Sequence, residues 1–146
     1  MPEKETLKRA EKDKREGKAA STQAGEFVRE EIEHVREGKH GARSAKQVIA
    51  IGLSKARRAG VKLRPPKKAS KKTQEQAARD ARKGKSTGEG KKSAKRSHAT
   101  MDALKREGRS AATKKALSRQ ARSAAARRSA ASRSRSARKA GATRKK

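Results

Sequence analysis

TQAGEFVREEIEHVREGKHGARSAKQVIAIGLSKARRAG, residues 22–60, is the stretch on which the fold turns. Its apolar residues fall on two helical faces. Ala24, Phe27, Val28, Ile32 and Val35 recur at 3.6-residue spacing. Ala45, Val48, Ile49, Gly52, Leu53, Ala56 and Ala59 do the same, with Ile51 to one side. The spacing predicts one helix over about 22–37 and a second from Ser44 to about Gly60. Ser44-x-x-Gln47 is a capping-box pattern, in which the two side chains satisfy free N–H groups of a first helical turn. Gly38-Lys39-His40-Gly41 is a short polar connection. Together these read as an antiparallel hairpin, with Gly52 letting the two backbones approach. Glu31 falls among the apolar positions and is expected to pair with a basic residue of the neighbouring helix.

Outside this stretch the chain changes character. Lys and Arg number 45 and Asp and Glu 15, giving +30 over 146 residues. Leu, Ile, Val and Phe total thirteen of 146 residues, about 9%, far below the roughly 20% under which a highly charged chain fails to build a large core. Ten of them lie between Phe27 and Leu63; beyond Leu63 only Leu104 and Leu117 remain, with Met101. Residues 1–63 carry a net charge of +6 and residues 64–146 one of +24. Arg64-Pro65-Pro66 marks the change, because proline stops a helix and stiffens the chain.

The expected fold class is therefore all-α. A small helical module occupies 1–63, with its helix–loop–helix hairpin at about 22–60, and a basic tail rich in Lys, Arg, Ala and Ser occupies 64–146. The tail is expected to be mostly disordered, since like charges repel and little apolar surface can be buried. Ala, Arg and Lys are strong helix formers, so stretches such as 111–131 become helical once phosphates neutralise them. The apolar arc of the 44–60 helix is wider than one partner helix covers. Leu7 and Ala10 of an N-terminal helix, a second copy of the chain in a weak homo-oligomer, or a bound polyanion would cover the rest.

Four segments punctuate the chain: Arg15-Glu16-Gly17-Lys18, Arg36-Glu37-Gly38-Lys39, Arg82-Lys83-Gly84-Lys85 and Arg106-Glu107-Gly108-Arg109. Each glycine reads as a helix stop in a left-handed conformation, and Ser or Thr follows within a few residues to cap the next helix. This spacing is consistent with a degenerate duplication of a helix–Gly–helix unit.

Several chemistries are set aside. The absence of cysteine removes disulfides and thiolate sites. No run approaches the ~18 apolar residues of a membrane span, and the charged N-terminus lacks the apolar stretch of a secretory signal. An enzyme is not expected, because a catalytic pocket needs a packed scaffold. Glu31-x-x-His34 has the spacing of carboxylate di-iron helices, but no second motif is in view, and His40 and His98 are too few to define a site. No metal or cofactor is therefore expected. Gly84-Lys85-Ser86 resembles the end of a phosphate-binding loop, but Arg79 stands where the earlier glycine belongs.

The charge does indicate a partner class, since a chain at +30 attracts polyanions, of which nucleic acid is the abundant one. Phe27 is the only aromatic residue and belongs to the core, so base stacking on single strands is disfavoured. Phosphate contact without base readout is expected, with duplex DNA favoured over RNA. A helix-turn-helix would use Ser44–Ala59 as its recognition helix and place Arg43, Lys46, Lys55, Arg57 and Arg58 near DNA. Because Val48, Ile49 and Leu53 are needed for the core, a packing role for this helix is favoured. Beyond it, Lys62, Arg64, Lys67, Lys68, Lys71 and Lys72 continue the basic surface. Further cations are Lys91, Lys92, Lys95 and Arg96, then Lys114, Lys115, Arg119 and Arg122. The densest clusters are Arg127, Arg128, Arg133 and Arg135, followed by Arg138, Lys139, Arg144, Lys145 and Lys146. Glu26, Glu30, Glu33 and Glu37 form an acidic face, either solvated or holding the tail when DNA is absent.

GEFVREEIEHVREGKHGARSAKQVIAIGLSKARRAGVKL, residues 25–63, resembles the central block of a family of small, basic bacterial proteins without an assigned activity. SAKQVIAIGLSKARRAG is the more distinctive part, and the likeness extends over about 10–63. The tail is similar in composition to the C-terminal tails of histone H1 and bacterial histone H1-like proteins. The resemblance implies a bacterial, nucleoid-associated protein that condenses or protects DNA, located in the cytoplasm at the nucleoid. The alternatives are an RNA- or ribosome-associated basic protein and a partner-binding hairpin with a nucleic-acid tether.

Overall fold

The computed structural model describes residues 2–65, 69–86 and 93–144. Seven α-helices are found among them: α1 (Lys4–Arg15), α2 (Ala20–Glu37), α3 (Ala45–Arg58), α4 (Lys71–Lys85), α5 (Ala94–Lys105), α6 (Lys114–Ala126) and α7 (Ala130–Arg144). A 3-10 turn lies at Ser110–Ala112, and no strand occurs among the described residues.

The hairpin is present as the apolar spacing predicts. Ser44 Oγ accepts from the Gln47 N–H at 3.3 Å and so starts α3. Gly38, with φ +79°, ends α2, and Gly60, with φ +91°, follows the end of α3. α2 begins two residues before the expected Thr22, after Ala19, and has no side-chain cap. A Cβ at Gly52 would lie 2.6 Å from Val28 Cα, so α2 and α3 touch backbone to backbone there.

Two apolar clusters hold the head. Ala10, Ala24, Phe27 and Ala56 pack with Leu53, Val61 and Leu63, joining α1, α2 and α3. Ala10 supplies the expected cover from α1, whereas Leu7 is 41% exposed. The second cluster joins Val35, Ala42 and Val48 to Ala111 and Ala112, with Ile32 against it. Two alanines from beyond residue 63 thus complete it. The α2–α3 loop and the turn after α5 are joined along their backbones: Gly41 N–H donates to Leu104 O at 2.9 Å, and Ala42 N–H to Gly108 O at 3.0 Å. Arg36 Nε donates to Ala112 O at 2.9 Å. Two of the Arg-Glu-Gly segments, around Gly38 and Gly108, therefore meet.

The expectation of a mostly disordered tail is corrected. Residues 71–85, 94–105, 114–126 and 130–144 are helical. Local chemistry explains why: Ala, Lys, Arg and Gln favour helix, and Ser70, Ser93 and Thr113 each accept a backbone N–H three residues on. The helical stretch anticipated over 111–131 is broken at both ends, since Thr113 caps α6 and α7 starts anew at Ala130. Gly84 is not a helix stop. It lies inside α4, where a Cβ would come 2.2 Å from Arg57 O, so its role is close packing. Gly108 likewise lacks the left-handed conformation found at Gly17, Gly38 and Gly60.

α3 is the central helix, packed by α2, α4, α6 and the Ser110–Ala112 turn. Neither α5 nor α7 is among the helices that pack closely on another helix. The part of the α3 arc left uncovered opens as a groove of about 580 Å³, bounded in part by Val28, Ile32, Ile49, Leu53 and Leu117.

The Gly52 contact gives a paired expectation. Gly52→Ala forces α2 and α3 apart and lowers stability by about 1–3 kcal/mol. Gly25→Ala, whose Cβ meets nothing within 4 Å, raises stability by about 0.5–1 kcal/mol through helix propensity. Urea midpoints followed by circular dichroism check both, and equal effects from the two would contradict the close crossing.

Candidate nucleic-acid interface

Whether a cation can reach phosphate depends first on whether the fold already uses it. In the head most acids are neutralised locally. Glu26 accepts from Arg9 at 2.7 Å, Asp13 from Lys18 at 2.8 Å and Glu33 from Arg29 at 3.0 Å. Glu37 pairs with Lys39 at 3.1 Å. The acidic face of α2 is thus satisfied by cations of residues 1–63, and among the described residues none of it holds the tail. Glu30 is not solvated but buried, with 1% of its surface exposed.

Lys55 is corrected from a phosphate contact to an internal counter-ion. Its ammonium donates to Glu30 Oε1 at 3.2 Å and to Glu31 Oε1 beside it. The pairing of Glu31 with a base on the neighbouring helix is therefore present. Glu30 Oε2 also accepts the Glu3 N–H at 3.0 Å, which ties the start of α1 to α2. Burial raises the Glu30 pKa, but hydrogen bonds from the Thr6 hydroxyl, the Glu3 N–H and Lys55 outweigh it and hold the carboxyl below its ordinary value. Arg57 is corrected as well: it is buried, and its Nε donates to Leu63 O at 3.3 Å.

Arg58 Nε donates to Asp80 Oδ1 at 2.8 Å and Ser54 Oγ to Asp80 Oδ2 at 2.7 Å, fastening α4 onto α3. Burial raises the Asp80 pKa, but Ser54, Arg58 and Gln76 together pull it below the ordinary aspartate value. Arg43 is exposed and reaches Glu107 at 3.4 Å, and Lys46 is exposed on the first turn of α3. With helices on several sides and Lys55 and Arg57 turned inward, α3 is not free to enter a DNA groove. That removes the recognition-helix reading.

The exposed cations lie elsewhere. α4 buries Ala77 and Asp80. Lys72, Arg79 and Lys83, at i, i+7 and i+11, share its outer face, flanked by Lys71 and Arg82, and all five are exposed. Arg79, Arg82 and Lys83 were missed by the sequence reading; their spacing from Lys72 would have found them once α4 was known to be a helix. On α6, Lys115, Arg119 and Arg122 at i, i+4 and i+7 form one exposed face, while Leu117 is half-buried. Lys114 and Arg127 are exposed near its two ends.

On α7, Arg133, Arg135, Arg138, Lys139 and Arg144 are exposed around the helix. Arg128 is partly engaged, donating to Ser132 O at 3.0 Å. Lys95 and Arg96 are exposed on α5, as are Lys62 and Arg64 after α3. Lys67, Lys68, Lys91, Lys92, Lys145 and Lys146 lie outside the described residues. No helix among the described residues is long and apolar enough to cross a membrane.

Residues 13–68 match a family of unknown function, DUF6496. The match covers less than half the chain and runs from the end of α1 past α3. No curated protein and no solved structure matches the chain significantly.

Asp80 and Glu30 bind protons more weakly in the folded chain than in the unfolded one. The stabilisation they give is complete above the unfolded carboxyl range and is lost as pH falls through their folded values. Urea midpoints should therefore hold steady from about pH 7 to 5 and drop below about pH 4.5. Asp80→Asn costs about 2 kcal/mol at neutral pH and flattens the acid limb. An unchanged acid limb would contradict the assignment.

Proposed function

We propose that the protein is a non-enzymatic DNA-binding protein that contacts duplex DNA through its phosphates, with little selectivity for sequence. The observation that carries this reading is the division of charge. Most acids of the head are matched by cations of the head, while α4 and α6 present Lys72, Arg79, Lys83, Lys115, Arg119 and Arg122 outside the ion pairs found among the described residues, with Glu75 the one exposed acid on either helix. Exposed like charges on one helix face repel one another and are retained at a cost. A polyanion removes that cost and releases the counterions condensed on it, which supplies sequence-independent affinity.

Arginine suits this role because its planar fork contacts two phosphate oxygens at once, while lysine adds mobile charge. The exposed cations of α7 extend the same surface. A helix whose cations point in all directions is suited to neutralising phosphates on more than one DNA segment, which is the chemistry of condensation or protection at a nucleoid. Duplex DNA is favoured over structured RNA because the single aromatic residue, Phe27, is buried and offers no stacking platform for unpaired bases.

Binding to random-sequence duplex should weaken steeply with salt, log K falling by about 0.9 per phosphate neutralised. Replacing Lys115, Arg119 and Arg122 together by Gln lowers the magnitude of that slope by about 2.7. Replacing Lys8, Lys12 and Arg29, which sit in ion pairs of the head, changes it much less. Fluorescence anisotropy over a salt series reads both. Equal losses from the two triples, or ribosomal RNA outcompeting duplex at every salt concentration, would overturn the proposal.

A further inference from the structure

Glu31, His34 and His40 converge where α2 runs into its loop, and one ligand atom of each lies within 4.8 Å of the others. We propose that they form a binding site for a divalent transition-metal ion of the zinc class. The ion is held by the Glu31 carboxylate, His34 Nδ1 and His40 Nε2.

His40 Nδ1 lies 3.0 Å from the Gly41 carbonyl oxygen, which can only accept. Nδ1 therefore carries the proton, and in the neutral ring Nε2 keeps a lone pair. That Nε2 lies 3.3 Å from Glu31 Oε2. His34 Nε2 lies 2.9 Å from Glu3 Oε1. Glu3 Oε1 also accepts from Lys39 Nζ at 3.0 Å, so it is an acceptor toward its neighbours. His34 Nε2 is then the protonated nitrogen, and Nδ1 faces Glu31 Oε1 at 3.5 Å. Two imidazole lone pairs and a carboxylate face one another, an arrangement that a cation between them makes attractive. A carbonyl behind one ring and a carboxylate behind the other are the supports that orient metal-ligating histidines. Each imidazole nitrogen lies 3.3–3.5 Å from one Glu31 oxygen, close to the separation of about 3.3 Å between ligands at ~2.0–2.1 Å from a tetrahedral zinc ion. All three ligand atoms lie within 4.8 Å of one another, so a small closure onto the ion completes the set.

A second observation points to the same place. Glu31 is fully buried, and its Oε2 has no hydrogen-bond partner among the described residues; His40 is close but not aligned to donate. Lys55 serves only Oε1, and it holds Glu30 as an alternative partner. Around the site three carboxylates, Glu3, Glu30 and Glu31, face two ammonium groups, Lys39 and Lys55. A metal ion at Oε2 supplies both the missing partner and the missing charge. Two histidines and one carboxylate leave a fourth position for water, the donor set that zinc accepts. The left-handed turn at Gly38 brings His40 back beside Glu31-x-x-His34, so the ligand set is completed from the loop.

The test uses the full chain, stripped with a chelator and titrated with Co2+, then Zn2+. One equivalent of Co2+ should produce the visible bands of a four-coordinate ion, and Zn2+ should displace it and raise the thermal midpoint. His34→Gln and His40→Gln should each weaken binding tenfold or more while His98→Gln, exposed on α5, leaves it unchanged. Imidazole 15N spectra of the unaltered protein give a reading independent of variant folding: Zn2+ should shift Nδ1 of His34 and Nε2 of His40. Absence of Co2+ bands and of any zinc-induced shift would overturn the site, leaving imidazolium–carboxylate pairing to explain the cluster. Binding that persists in both variants, or shifts confined to His98, would overturn it too.

Discussion

Two adjacent buried carboxylates, Glu30 and Glu31, share the ammonium of Lys55, and the head is organised around that contact. Burying a carboxylate costs several kcal/mol unless charge and hydrogen bonds replace water. Glu30 meets that requirement with partners from α1 and α3: the Glu3 N–H, the Thr6 hydroxyl and Lys55. The apolar contacts of Phe27, Ala24 and Ala56 are small in area and direction-free. The ionic contact adds a fixed position at which the three helices must meet. Asp80 repeats the device one helix further on, joining α4 to α3 through Ser54 and Arg58.

Charge segregation follows from this arrangement. Self-repulsion in a chain of net charge +30 opposes compaction, and acids placed at helix contacts offset part of it. In this fold Glu26, Glu30, Glu31 and Asp80 lie at the contacts between α1, α2, α3 and α4, while Lys72, Arg79, Lys115 and Arg119 are left exposed on α4 and α6. The same residue type thus has opposite roles at different positions. Lys55 stabilises the interior, whereas Lys72 and Lys115 face solvent and are suited to phosphate.

The hairpin was legible because periodic apolar residues, the Ser44 cap and the glycines at 38, 52 and 60 all pointed to the same helices. The Glu31–Lys55 pairing was legible too, since a carboxylate on an apolar face demands a base. What escaped was long-range. Nothing in the spacing of Ala111 and Ala112 distinguishes them from the other alanines of a basic segment, yet their place beside Val35 and Val48 closes the core. Gly84 looked like a stop because Arg-Lys-Gly-Lys matches the other segments, and only the approach of the Arg57 carbonyl gives its role. Composition suggested disorder beyond residue 64, but it could not register three serine or threonine caps and a buried Asp80. Lys55 and Arg57 were counted as surface cations because charge on an amphipathic helix usually faces water. His40 was set aside because a loop position gives no hint of which helix it will meet.

The central claim is that position in the fold divides the cations into internal partners and phosphate ligands. A lysine-reactivity footprint, read by mass spectrometry with and without duplex DNA, measures that division directly. Lys72, Lys83, Lys114 and Lys115 should react freely alone and be protected by DNA. Lys55 should be slow to react in both states, and Lys8 and Lys12 should be unaffected by DNA. Protection concentrated on Lys8 and Lys12, with α4 and α6 left reactive, would contradict the account.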